Sequence, residues 1–301
     1  MSVSTIQPNP HTESRPSGLS DLGLAESRRI IWAAVLIVLL LIAVYHEVLR
    51  KLVVDWWEIP DASHGFLVPL FAAYLVWSRR ESVSRTELRP TWSGVAVAAA
   101  GLAILVLGVL GAELFLSRVS LVIVLTGLIL SFGGSKVLAE FRFPFLILFL
   151  AIPIPAIIYN QITLPLQTLA ARAAEALLPV FAVPVLREGH VIVLPSMRLE
   201  VAQACSGIRS LMSLLTVSIL YGYFLERSLW KRTVLALASV PIAVVANCLR
   251  IVGTGLCVQY WNPDQALGFF HEFSGWVIFL VSLLCLYLVH RFMSLANNWT
   301  G

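Results

Sequence analysis

Three residues with the chemistry of a nucleophile, a fixed cation and a proton carrier occur late in the chain. They are Cys205 in VAQACSGIRSLMSLL, Arg250 in ANCLRIVG and His271 in FFHEFSGW, each beside a long apolar run. A cysteine attacks as the thiolate, and its free pKa of about 8.5 falls beside a cation or at a helix N-terminus. Cys205 opens the apolar run that follows it, and either Arg250 or His271 can supply the cation. An imidazole titrates near neutrality and can hand a proton to a departing amine. A guanidinium stays charged and offers several donors to a developing oxyanion or a substrate carbonyl. Asn247 stands three residues before Arg250, and Arg209 four after Cys205, so each shares a helix face with its neighbour.

Plainer readings compete with the chemical one. A cysteine in a membrane helix is often a small apolar filler, an arginine near a span end snorkels to the headgroups, and a histidine there caps a helix. Ser206, Ser210 and Ser213 read better as a small-residue packing stripe than as nucleophiles. The two accounts part on whether Cys205, Arg250 and His271 reach one depth, which the elements carrying them decide.

With 58% hydrophobic and 13% charged residues over 301 positions, the chain has about half the charge of a soluble domain. That composition predicts a membrane protein. Apolar runs long enough to cross about 30 Å of hydrocarbon recur, and we expect about eight spans. They fall near 30–48, 64–77, 92–112, 118–132, 143–159, 206–224, 233–252 and 270–289, the second and fourth being short. Residues 1–28 carry Pro8, Pro10, Pro16 and several serines and predict a disordered cytoplasmic tail, leaving 29–301 as the integral membrane domain. No cleavage site follows the first apolar run, so no signal peptide is expected. Basic clusters from Arg28 to Arg291 fall on one side of this arrangement, which the positive-inside rule makes the cytoplasm. The net charge of +4 then reports topology, and nucleic acid is not an expected partner.

The opposite side carries an insertion of about residues 160–204 between the fifth and sixth spans. NQITLPLQTLAARAAEALL has the spacing of an amphipathic interfacial helix. VPVLREGHVIVLPSMRLEVAQA alternates, with turn signals at Glu188-Gly189 and Pro195-Ser196, and predicts a β-hairpin or two. The expected fold is an all-α polytopic membrane protein with this small extracytoplasmic helix and hairpin. Counting roughly 20 residues per span puts Cys205, Arg250 and His271 at the same outer boundary on three consecutive helices. Cys248 and Cys257 could approach Cys205 for a disulfide, although no spacing fixes their geometry. No metal-ligand spacing or nucleotide fingerprint is present, so neither metal nor cofactor is expected. Few charges fall at mid-depth and no inverted repeat is visible, both of which argue against a transporter.

In this order, ACSGIRSL, ANCLRIVG and FHEFSGW resemble the signature blocks of the exosortases, the bacterial members of the exosortase/archaeosortase family. SHGFLVPLFAAYLVW, IPIPAIIYNQITLPLQ and VLREGHVIVLP resemble further recurrent stretches of that family, so the resemblance covers nearly everything after the tail. It implies a cysteine transpeptidase of the bacterial inner membrane, with Cys205, Arg250 and His271 as its catalytic residues. The implied substrates are secreted proteins ending in a Pro-Glu-Pro-like motif, a transmembrane helix and a basic tail. They would be cleaved through a thioester and passed to an amine acceptor, in association with exopolysaccharide production. Arg172, Arg187, Arg198 and Arg209 are candidates to meet the acidic motif, and Asn247 and His64 to line the site. A noncatalytic scaffold of an exopolysaccharide or secretion complex would explain the spans but leave the convergence of the three residues accidental.

Overall fold

A computed structural model describes residues 18–201, 207–261 and 269–299. The chain divides into two units, residues 1–50 and 51–301. The first is carried by α1 (Gly18–Glu58), which starts inside the stretch expected to be a disordered tail. Beyond Pro16, GLSDLGLAESRR holds no further proline and is rich in good helix formers, so the apolar helix extends back into it. Ile31, Trp32, Leu36 and Leu39 are exposed along this helix, as lipid-facing residues are.

In the second unit a 3-10 turn (Pro60–Phe66) leads into α2 (Leu67–Ser78) and α3 (Arg80–Arg85). Then come α4 (Trp92–Leu110), α5 (Leu114–Phe132), α6 (Gly134–Leu148) and, after a short 3-10 turn, α7 (Ala156–Leu177). Three strands, β1 (Leu186–Glu188), β2 (Val191–Val193) and β3 (Arg198–Glu200), precede α8 (Gly207–Leu225), α9 (Leu229–Tyr260) and α10 (Phe269–Trp299). The protein is thus a multi-pass helical membrane protein with a small β insertion. Among the described residues six helices are long and apolar enough to cross a membrane, or seven if one bent pair counts as a span. Eight is not reached, since α2 has 12 residues, too few for a crossing.

The expected fifth span, 143–159, is broken. Helix α6 and its 3-10 extension end at Ala151, and α7 leaves at 75°. Pro153 and Pro155 lack the N–H that would continue the helix and hold the residues before them out of the α region. The expected interfacial helix therefore begins at Ala156 and is longer than NQITLPLQTLAARAAEALL.

Helices α4 and α5 form an antiparallel hairpin whose contact is made by glycine. Gly94, Gly101 and Gly108 recur every seven residues, and a Cβ on them would lie 2.2 Å from the Ser131 backbone N, 2.7 Å from Val124 Cγ2 and 2.5 Å from Ser117 Oγ. Where lipid competes as an apolar solvent, such close backbone approach replaces the hydrophobic drive between helices. Helices α8, α9 and α10 pack together around Leu214, Leu235, Ala243 and Leu286. The three strands form an antiparallel meander, its first turn holding Gly189 at φ +67°, and Ile192, Leu199 and Val201 pack with Ala170, Ala174 and Leu178 against Ile251, Val252 and Val258 of α9.

Ion pairs close the ends of the helices. Arg79 donates to Glu140 and to the Tyr223 hydroxyl, and Glu226 accepts from His290 Nε2 at 3.0 Å, whose Nδ1 meets Tyr221 at 2.6 Å. At the start of α5, Arg118 donates to Asp55 at 2.6 Å with only 3% of its side chain exposed. Removing one member of a buried pair strands the other charge. Asp55→Ala is expected to cost about 3 kcal/mol in thermal unfolding in detergent, and Asp55→Leu with Arg118→Met to recover most of it. An unchanged unfolding temperature for the single variant would contradict the pairing.

Candidate active site

The break after Ala151 leaves carbonyls at the end of α6 without helical partners. Two side chains from the segment ahead of α2 take them up. The Trp56 indole donates to Ala151 O at 2.7 Å, and His64 Nε2 donates to Leu150 O at 3.0 Å. Gly65 allows this: a Cβ there would lie 2.2 Å from Trp56 Nε1. The His64 turn lies outside the candidate spans, and burial pushes the imidazole below the usual histidine range. Thus SHGF and IPIPA, far apart in sequence, form one joint.

Asp61, in the same turn, joins two further helices. Its Oδ2 accepts from the Tyr159 hydroxyl at 2.5 Å in the first turn of α7, and its Oδ1 from Arg209 Nε at 3.2 Å in the first turn of α8. Both carboxylate oxygens are engaged, and the positive ends of two helix dipoles lie close by. Sequence reasoning singled out Arg209 but missed Asp61 and Tyr159. The signal was partial: Asp61 stands two residues before SHGFLVPLFAAYLVW, and Tyr159 lies within IPIPAIIYNQITLPLQ. Beneath this network lies a cavity of about 260 Å³ lined by apolar side chains, with Asp61, His64 and Tyr159 as its polar members.

Arg250 does not snorkel. It is 5% exposed, and Asn247, one turn earlier, is 6% exposed. Its helix runs on to Tyr260, so the expected end of the seventh span near residue 252 falls short, because the last turns of α9 are covered by α7 and the strands instead of ending at a headgroup layer. Counted from Leu229, Arg250 still stands roughly 32 Å along the helix, about one membrane thickness. A Cβ at Gly275 would come within 3.3 Å of Arg250 Nη2 and 3.5 Å of its Cζ, so the guanidinium lies against the start of α10. His271 precedes Gly275 by four residues, one helical turn, in that same end of α10. A cavity of about 130 Å³ between the two helices is lined by Arg250, Thr254, Cys257, Phe273 and Ser274.

Cys205 and the side chain of His271 lie outside the described residues, as does any pairing of Cys205; the Cys257 thiol is free. Arg187 pairs with Glu175 at 2.6 Å and Arg198 with Glu188 at 2.7 Å, both within the α7 and strand insertion, while Arg172 is exposed on α7. Arg209 alone of these four lines up with the start of α8 and the joint at Asp61. Among the described residues no group of His, Cys, Asp and Glu is placed to hold a metal.

Gly65→Ala is expected to force the Trp56 ring off the Ala151 carbonyl and to lower stability by about 1 to 3 kcal/mol. Thermal unfolding beside a Trp56→Phe control checks this: full stability in the alanine variant would overturn the close approach.

A family model described as transmembrane exosortase matches residues 56–288. No curated protein and no solved structure matches the chain.

Proposed function

Because the chain belongs to the transmembrane exosortase family, we propose that it is a membrane-embedded cysteine transpeptidase that cleaves C-terminal sorting signals of secreted proteins. The observation that carries this reading is the burial of Arg250 against the first turns of α10, where His271 stands, at the end of the bundle where α8 follows directly on Cys205. A snorkelling arginine at a span end would keep its guanidinium exposed.

In the proposed reaction His271 takes the thiol proton of Cys205, and the thiolate attacks the scissile carbonyl. Arg250 holds the oxyanion, stronger for being in a low dielectric. Collapse breaks the C–N bond, His271 protonates the departing amine, and a thioester remains. An amine acceptor, or water, attacks the thioester, gives its proton to His271 and regenerates the thiolate. The substrates are secreted proteins with a Pro-Glu-Pro-like motif, a transmembrane helix and a basic tail, and the product is anchored at the surface in association with exopolysaccharide. Among the arginines, Arg209 is our choice to meet the acidic motif, since it stands four residues after Cys205 at the start of α8 and keeps 44% of its side chain exposed although Asp61 holds its Nε. The basic clusters at the opposite helix ends support placing the site on the extracytoplasmic side of a bacterial inner membrane.

Mass spectrometry of a co-expressed protein bearing such a signal is the test. Wild type is expected to cleave beside the motif and Cys205→Ala not at all. Arg250→Lys, which keeps the charge but loses the planar fork, is expected to slow cleavage by about 100-fold. Equal processing by wild type and Cys205→Ala would remove the cysteine mechanism, and intact substrate throughout would favour a noncatalytic scaffold.

A further inference from the structure

The larger cavity is not accounted for by the three proposed catalytic residues. Its lining is almost wholly apolar, with Ile152, Ile154, Ala156, Ile208 and Met212 among its walls, and it reaches the surface at Ile59 and Ala156, both exposed. Folded interiors hold few voids larger than a water molecule, and an apolar one stays dry and takes apolar guests. At about 260 Å³ it is smaller than the usual drug-sized pocket and has room for a side chain or two. The chain bounds its distance from the nucleophile: Ile208 follows Cys205 by three residues, and three residues reach at most roughly 11 Å. The polar members of the wall are Asp61, Tyr159 and His64: Tyr159 donates to Asp61, which Arg209 holds from outside the lining, and His64 donates to Leu150 O. His64 Nδ1 is buried in this wall with no hydrogen-bond partner among the described residues, and a lipid acyl chain would leave it so, which is costly. A peptide meets both demands, an apolar side chain entering the cavity and its backbone passing the polar wall.

We infer that this cavity is the specificity subsite for an apolar side chain next to the bond attacked by Cys205, with Ala156 and Met212 setting its size. The assignment rests on the reading of Cys205 as the nucleophile. Neither Ala156 nor Met212 is one of the three proposed catalytic residues. Ala156→Leu narrows the cavity at its surface end, and Met212→Ala widens it from α8.

The experiment is an internal competition in membranes containing the full chain. Sorting-signal proteins in which each residue flanking the cleaved bond is replaced in turn by Ala, Val, Leu or Phe are mixed, and relative cleavage rates are read by mass spectrometry. Such ratios do not depend on how much enzyme folds. One methylene in an apolar pocket changes selectivity by about 10-fold or more. At one flanking position wild type is expected to prefer Val or Leu over Ala by at least that factor. Ala156→Leu is expected to shift preference toward Ala, and Met212→Ala toward Phe, each by about 10-fold. An unchanged order of preference in both variants would overturn the subsite and leave the cavity to lipid or packing. If one variant fails to fold, the other still decides. Absence of cleavage by wild type, or cleavage that survives Cys205→Ala, would instead overturn the enzyme reading, and the subsite with it.

Discussion

Two missing backbone donors organise the candidate site. Pro153 and Pro155 cannot continue the hydrogen-bond ladder of α6, and carbonyls left open in an apolar surrounding cost several kcal/mol each. The chain answers with side chains from elsewhere: Trp56 reaches Ala151 and His64 reaches Leu150. That answer fixes the turn ahead of α2 against the end of α6, and the same turn carries Asp61. With Asp61 fixed, the first turns of α7 and α8 are tied to it through Tyr159 and Arg209. The cavity is what remains enclosed when four segments are held at their ends and not along their lengths.

Much of this was legible in the sequence. The apolar runs, the two proline-bearing blocks and the alternating stretch after residue 183 specify most of the helices and the strands, but α1 starts earlier and α9 ends later than the apolar runs predict, and the expected fifth span is broken. The two antiparallel pairings, β1 with β2 and β2 with β3, match the turn signals at Gly189 and Pro195. What could not be read is what depends on long-range contact. Arg250 near a span end reads first as snorkelling, the commoner fate, and the strand insertion covering α9 beyond it reverses that reading. The break at Ala151 is written in Pro153 and Pro155, but its 75° angle is not, because it depends on which donors reach the freed carbonyls. Asp61 was passed over for a related reason: a single carboxylate has no periodicity, and its two partners lie 98 and 148 residues away.

Helix α9 shows why the insertion and the site belong together. Its 32 residues extend roughly 48 Å, well beyond the hydrocarbon thickness. The surplus turns, with Ile251, Val252 and Val258, are buried by Ala170, Ala174, Leu178 and the strands. The insertion is therefore clamped to the helix that carries Arg250, and whatever holds the one holds the other. Two of its arginines are answered within it, Arg187 by Glu175 and Arg198 by Glu188, and Arg172 is exposed on α7. Exposed ion pairs of this kind contribute little to stability, but they leave the insertion little charge beyond Arg172 to offer an acidic ligand. On these grounds the insertion acts as a buttress for α9. On the proposed function, discrimination among substrates then falls to the apolar cavity and the Asp61 network at the head of α8, which are built from elements the buttress keeps from moving apart.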